Sequence, residues 1–143
     1  MNTKSIHKSL AATIDLGAHS ARMLIAEYDR KHGTVEALEE LEVLVPLGSD
    51  VFRHGKISNP VIRMLCDVFL NFRNKMDEYG VVDYKVIATS AVREAANAAI
   101  LLERIAHFTG IRIVIFEGAD EAKLDYIAVQ DIIPAKYDFA RSS

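Results

Sequence analysis

The alternation of apolar and polar residues near the start of the chain is typical of β-strands, in which successive side chains point to opposite faces of a sheet. One run ends at Leu16, a second includes Met23 and Ile25, and a third lies within residues 34–47. Short polar turns separate these runs, so the pattern predicts three consecutive antiparallel strands. The early part of the third run would also fit a helical turn.

After residue 56 the apolar residues recur every three or four positions, which is the period of an amphipathic helix. Ser58 and Pro60 are typical of a helix start, and Gly80 is typical of a helix end. A long helix is therefore predicted between them. Residues 47–56, which precede it, are predicted to form a polar loop whose basic side chains could contact an anionic substrate or simply face water.

Two short apolar runs, residues 84–89 and 111–116, predict buried central strands. A helical pattern follows each of them, at residues 92–109, ended by Gly110, and at residues 119–131. Strand–helix–strand connections within one sheet are nearly always right-handed and join parallel strands. The element order therefore predicts an α/β fold with a five-stranded mixed sheet, three antiparallel strands followed by β-α-β-α, and helices on its faces.

The composition is that of a globular protein, since half of the 143 residues are hydrophobic and 26% are charged. The formal net charge of −3 and the lack of a dense Lys/Arg cluster argue against a nucleic-acid partner. Cys66 is the only cysteine, which excludes an internal disulfide and fits a cytoplasmic location. Neither a signal peptide nor an apolar run of ~18 residues is present, so no membrane association is expected.

Three segments are expected to converge at the carboxyl ends of the parallel strands, where open α/β sheets bind ligands. The first is the turn that follows Asp15 and Gly17. Its glycine and small neighbours allow backbone N–H groups to face an anion, and the acid could hold a divalent cation or position a water molecule. An ordinary β-hairpin with a polar turn would show the same pattern.

The second segment contains Thr89, Ser90 and Arg93 at a predicted helix start. Hydroxyl groups, unsatisfied N–H groups and a guanidinium together could bind an anion there. A positive charge in a first helical turn is unfavourable for the helix dipole, so a nearby anion would explain Arg93, and so would a salt bridge.

The third segment places Glu117, Asp120 and Glu121 at the next predicted helix start. One of these acids could act as a general base that faces the anion. All three could instead only stabilise the helix, by ~0.3–1 kcal/mol each, because acids are favourable in a first turn. The sequence pattern alone leaves both interpretations open.

With these segments placed, the chain resembles the N-terminal subdomain of the exopolyphosphatase/guanosine pentaphosphatase family, within the actin/sugar-kinase/Hsp70 superfamily. Residues 14–20 (IDLGAHS) are similar to the family's D-L-G-S-N-S phosphate hairpin. Residues 88–97 (ATSAVREAAN) match its A-T-S-A-x-R-x-A-x-N segment, and residues 117–124 (EGADEAKL) are similar to its S-G-x-E-E-A-x-L helix start. Order and spacing agree from Leu10 to about Ile133.

The resemblance implies a ribonuclease H-like (actin-like ATPase) domain of an enzyme that releases terminal phosphate from polyphosphate or guanosine pentaphosphate, usually with Mg²⁺. It implies that Asp15 acts near the metal, directly or through water, that Arg93 holds substrate phosphate, and that Glu121 activates the attacking water. The phosphate-binding residues that it implies are Gly17, Ala18, His19, Ser20, Thr89, Ser90 and Arg93.

Two departures from the family pattern concern the substrate site. Ala18 and His19 replace a Ser–Asn pair, so a hydroxyl and an amide are lost from the turn. Glu117 replaces a serine and adds negative charge near an anion site. His19 could supply part of the lost contact as a cation below its pKa of ~6.5, or it could face solvent.

The family's second phosphate loop, D-x-G-G-G-S, is absent from residues 1–143, which are therefore expected to form one N-terminal subdomain of a longer protein and to be inactive alone. The leading interpretation is phosphoanhydride hydrolysis by the full-length protein. A phosphate- or nucleotide-binding regulatory module that has lost turnover is the alternative. A sugar or acetate kinase half is disfavoured by the T-S-A-x-R segment and the acid pair. A homodimer is a further expectation for the full-length protein.

Overall fold

The computed structural model describes residues 7–88 and 90–115. They form a five-stranded sheet in the order β3-β2-β1-β4-β5, in which β2 is antiparallel to β1 and β3, and β4 is parallel to β1 and β5. The predicted mixed sheet is thus confirmed. The elements are β1 (Lys8–Leu16), β2 (Ser20–Asp29), β3 (Thr34–Leu44), α1 (Leu47–His54), α2 (Asn59–Tyr79), β4 (Asp83–Ala88), α3 (Ser90–Arg93), α4 (Ala98–Thr109) and β5 (Val114–Ile115).

The hydrophobic core lies on one face of the sheet. Ile14 of β1 is fully buried and lies in register with Met23 of β2 and Val86 of β4, which are also buried. Helix α2 supplies its own buried side chains to this cluster and packs against α4. Because side chains alternate along a strand, Asp15 leaves the sheet on the face opposite Ile14 and Leu16.

Helix α2 matches its prediction at both ends. It begins after Ser58, has Pro60 in its first turn, and ends before Gly80, whose φ of 75° is the left-handed conformation that favours glycine. Cys66 is half-buried against the core, and burial raises the pKa of its thiol, as expected of a side chain that fills apolar space. Within the described residues, no helix has both the length and the apolar composition to cross a membrane.

The predicted polar loop at residues 47–56 is wrong, because this segment contains helix α1. Leu47 and Val51 are four residues apart and both are buried, so the short helix has one apolar face that packs on the core. Gly55 then ends the helix in the left-handed conformation, and its N–H donates to the carbonyl oxygen of Val51 over 2.7 Å. Two buried apolar residues are too few to give a recognisable helical period in the sequence.

The single helix predicted over residues 92–109 is also wrong, because the chain forms α3 and α4 with a break between them. At the break the side chain of Asn97 bonds to both backbone groups of Ile57, with Oδ1 accepting from N–H and Nδ2 donating to the carbonyl, each over 2.8 Å. The N–H of Ala96 donates to the carbonyl oxygen of Gly55 over 2.9 Å. These tertiary hydrogen bonds replace those of a continuous helix.

Strands β4 and β5 form where the two buried central strands were predicted, but both are less buried than expected. Strand β4 lies between β1 and β5, but only its second half is buried. The described part of β5 is two residues long, and Val114 is 55% exposed, whereas Ile111 before it is fully buried. Phe116 and the helix predicted over residues 119–131 lie outside the described residues.

Candidate anion-binding site

The turn between β1 and β2 lies at the carboxyl end of β1, as predicted. The N–H of Gly17 donates to the carbonyl oxygen of Ser20 over 2.9 Å and closes the turn. Ala18 is half-buried and His19 is exposed. One carboxylate oxygen of Asp15, Oδ1, is buried just before this turn.

The residues that lead into α1 and its first turn hold the β1–β2 turn from outside. Val45 N–H donates to the carbonyl oxygen of His19 over 2.9 Å, and Gly48 N–H donates to that of Ala18 over 2.8 Å. The first N–H groups of a helix have no partner within the helix, so Gly48 can donate to a neighbouring segment. A Cβ atom on Gly48 would lie 2.8 Å from the Cβ of Ala18, so only glycine allows this approach.

A cavity of about 350 Å³ lies where the β1–β2 turn, α1 and α3 meet. It brings together two of the three segments expected to converge at this end of the sheet, because Ala18 contributes from the first and Ser90 from the second. Helix α1 forms the wall between them. The lining residues are Ala18, Gly48, Val51, Phe52, Gly55, Ser90, Ala91 and Glu94.

The contribution of α1 to this wall was not predicted from the sequence. The one available signal was Gly48, since a glycine inside a helix is unfavourable unless another segment approaches closely. Phe52 of α1 is 91% exposed although it lines the cavity. Glu94, which directly follows α3, also lines the cavity, and its negative charge opposes anion binding unless a cation lies between the two negative groups.

Arg93 is exposed and is the last residue of α3, which has only four residues. The expected position in the first turn of a long helix is therefore wrong, and the argument from the helix dipole does not apply to this arginine. Its assignment to substrate phosphate rests on the resemblance. Thr89, Glu117, Asp120 and Glu121 lie outside the described residues, so their roles stay predictions.

The described acidic, histidine and cysteine side chains show how far this part of the chain could hold the Mg²⁺ that the resemblance implies. Within residues 7–88 and 90–115 no three acidic, histidine or cysteine side chains gather as a metal site. Magnesium commonly uses one or two carboxylates together with substrate phosphates and water. Asp15 is a carboxylate of this kind, with one oxygen buried at the end of β1, but it is not among the residues that line the cavity and does not by itself form an all-protein site.

Comparison with known proteins identifies relatives over most of the chain. The chain is 29% identical over 126 residues to the bifunctional 3-dehydroquinate synthase/phosphatase of Fusobacterium nucleatum. This alignment covers 84% of the chain and 19% of the relative. The chain is 26% identical to the guanosine-5'-triphosphate,3'-diphosphate pyrophosphatase of Aliivibrio fischeri (82% of this chain, 23% of the relative). It is 28% identical to exopolyphosphatase 1 of Mycobacterium leprae (82% and 34%). The chain thus spans 19–34% of the length of these relatives.

Solved structures show the same architecture. The Ppx/GppA family member of Aquifex aeolicus aligns with a TM-score of 0.77 and 29% identity, over 85% of this chain and 39% of that one. The exopolyphosphatase of Cytophaga hutchinsonii aligns with a TM-score of 0.74 and 30% identity, over 88% and 40%. The fold is therefore of the ribonuclease H-like, actin-like ATPase type, as the resemblance implied. Residues 24–139, more than half of the chain, match the Ppx/GppA phosphatase family, and the chain belongs to that family.

Proposed function

We propose that the full-length protein that carries this chain is a hydrolase that releases terminal phosphate from inorganic polyphosphate or guanosine pentaphosphate. The cavity of about 350 Å³ carries the proposal, because it joins Ala18 of the first phosphate segment to Ser90 of the second. Relatives named as an exopolyphosphatase and a guanosine-5'-triphosphate,3'-diphosphate pyrophosphatase support this substrate class. The single cysteine supports a cytoplasmic location.

The contacts around the β1–β2 turn suit the binding of an anion. The carbonyl oxygens of Ala18 and His19 accept hydrogen bonds from Gly48 and Val45, so their partial negative charge is compensated before a phosphate arrives. The N–H groups of Ala18 and His19 and the Ser90 hydroxyl would then donate to phosphate oxygens, whereas the N–H of Gly17 already donates to the carbonyl oxygen of Ser20. Donors held in position by the fold cost little reorganisation during the reaction.

The remaining roles follow the family pattern. Asp15 would hold Mg²⁺ directly or through a water molecule, and the ion would neutralise charge on the phosphates. Arg93 would bind substrate phosphate through two parallel N–H groups. Glu121 would orient the attacking water and accept its proton.

A second candidate is a phosphate- or nucleotide-binding regulatory module without turnover. It is favoured by the methyl group of Ala18, which supplies no hydroxyl to the cavity, and by the carboxylate of Glu94 on the cavity wall. Both features reduce the contacts that could stabilise a transferred phosphate group, but neither excludes a bound anion. The two candidates differ in whether the bound substrate is hydrolysed, and both predict that it is bound.

The test is phosphate release by the full-length protein from each substrate, with Mg²⁺ and with EDTA. Hydrolysis that stops in EDTA is expected. Binding without release would select the regulatory module, and neither binding nor release would contradict both candidates. The 143 residues alone are expected to release no phosphate, because they span only 19–34% of the length of the curated relatives and do not contain the second phosphate loop of the family pattern.

A further inference from the structure

Helix α1 is fixed firmly beside the cavity. Leu47 is fully buried and Val51 is 8% exposed, so the apolar face of α1 is anchored in the core. The hydrogen bond from Gly48 to Ala18 ties the first turn of α1 to the β1–β2 turn. A side chain on the outer face of α1 is therefore held at a defined place relative to the candidate phosphate site.

Phe52 is such a side chain. It is 91% exposed, more than any other large hydrophobic residue of the described ranges, and it lines the same cavity as Ala18 and Ser90. Single exposed apolar residues are common on protein surfaces, so exposure alone indicates nothing. The position is informative, because a flat aromatic ring lies beside a site proposed to bind phosphate.

A ring in this position suits a ligand with both phosphate groups and a flat aromatic group. The cavity of about 350 Å³ is near the lower end of the usual range for ligand pockets, ~300–1,000 Å³, so it accommodates only part of a large nucleotide. When the phosphates occupy the cavity, the base of a nucleotide would lie at its mouth. Inorganic polyphosphate has no group that could use the ring.

We propose that Phe52 is a specificity-determining residue that stacks on the nucleobase of a nucleoside polyphosphate and makes no comparable contact with inorganic polyphosphate. Stacking on an aromatic ring is favourable for every base because each has a π-face. The inference rests on the proposed function for the location of the phosphates. It adds a preference between the two substrate classes, which the family pattern leaves open.

The test measures equilibrium binding to the full-length protein of two ligands, guanosine pentaphosphate and inorganic polyphosphate of similar charge. Phe52→Ala should raise the Kd for guanosine pentaphosphate about 5- to 150-fold, the usual effect of removing one base–aromatic stack. The Kd for polyphosphate should stay within about twofold, since the phosphate contacts are untouched. Phe52→Trp should retain nucleotide binding, because it keeps an aromatic face.

Phe108→Ala is the matched control, because Phe108 is 62% exposed on α4 and does not line this cavity. It should change neither Kd. Equal weakening of both ligands by Phe52→Ala, or no change in either, would overturn the inference. A fall in melting temperature that Phe52→Leu prevents, with no selective loss of the nucleotide, would assign Phe52 to packing against another part of the protein.

The binding measurement also separates this inference from the proposed function. Wild-type protein that binds both ligands but releases no phosphate would contradict hydrolysis, and the Kd ratio would still decide the role of Phe52. Wild-type protein that binds neither ligand would contradict the proposed function and the stacking role together.

Discussion

The backbone N–H of Gly48 donates a hydrogen bond to the carbonyl oxygen of Ala18 over 2.8 Å, and this contact joins α1 to the turn proposed to bind phosphate. The approach is so close that a Cβ atom on residue 48 would lie 2.8 Å from the Cβ of Ala18 and 3.2 Å from its carbonyl oxygen. The absence of a side chain at Gly48 therefore sets the distance between two walls of the cavity.

Gly48→Ala should lower the free energy of unfolding by about 1–2 kcal/mol. Overpacking of this kind costs ~1–3 kcal/mol, and the better helix propensity of alanine offsets up to ~1 kcal/mol. Urea denaturation of the variant measures the loss. The double variant Gly48→Ala/Ala18→Gly should recover part of it, because it removes the opposing Cβ atom. A double variant that is less stable than the sum of its single changes predicts would contradict the contact.

Asn97, the last residue of the A-T-S-A-x-R-x-A-x-N segment, has a structural role in this chain. Its side chain satisfies both backbone groups of Ile57, which is 1% exposed. Asn97→Ala should cost about 2–3 kcal/mol of unfolding free energy, because it leaves a buried donor and a buried acceptor without their partner. Asn74→Ala, on the exposed surface of α2, should change stability by less than ~0.5 kcal/mol. Similar values for the two variants would show that the amide contacts contribute little.

The sequence predicted those elements whose signals are local. Helix α2 has twenty-one residues with a proline near its start and a glycine after its end, so its pattern was sufficient. The break between α3 and α4 depends on a contact between Asn97 and Ile57, which are forty residues apart. The spacing of apolar residues within a short segment cannot indicate a contact over that distance. Helix α1 is short and has two buried residues, so its role as a cavity wall emerged only from the fold.

Tyr79 links the end of α2 to β3, because its hydroxyl donates a hydrogen bond to Oε1 of Glu39 over 3.0 Å. This hydrogen bond raises the pKa of the Tyr79 hydroxyl above its ordinary value of ~10. The contribution to stability is therefore complete below pH ~10 and is lost as the pH rises through the higher pKa of the folded state.

The stability difference between wild type and Tyr79→Phe should accordingly be positive at neutral pH and decline above pH ~10. Thermal denaturation at a series of alkaline pH values measures it. Tyr28→Phe is the control, because the Tyr28 ring lies under the guanidinium of Arg30, and its stability difference should not follow that of Tyr79→Phe. A Tyr79→Phe difference that stays constant up to pH 11 would exclude a contribution from the hydrogen bond to Glu39.

Arg93 offers a direct test of phosphate binding in the full-length protein. Arg93→Lys retains the charge but loses the planar pair of donors, so kcat/KM should fall by about 10-fold or more. The melting temperature should hardly change, because Arg93 is exposed. Arg104→Lys, also exposed and located on α4, should leave both quantities unaltered. Reduced stability with intact kinetics would instead assign Arg93 to a structural salt bridge.

The role of Glu121 is predicted from the sequence alone. A water molecule that attacks a terminal phosphate needs an orienting group and an acceptor for its proton, and one carboxylate can supply both. Glu121 occupies the second position of the family's acid pair. It precedes Leu124 by three residues, so the two are expected on one side of the predicted helix, and Asp120 is expected about 100° away.

Glu121→Gln in the full-length protein should therefore lower kcat by at least ~100-fold, the usual contribution of a general base, because the amide retains the shape of the side chain but cannot accept a proton. Substrate binding and the melting temperature should be nearly unchanged, which separates the loss of a base from the loss of the fold. Asp120→Asn is the matched comparison and should retain most of kcat. If Asp120→Asn abolishes turnover and Glu121→Gln does not, Asp120 is the base, and the alignment of this acid pair with the family pattern is shifted by one residue.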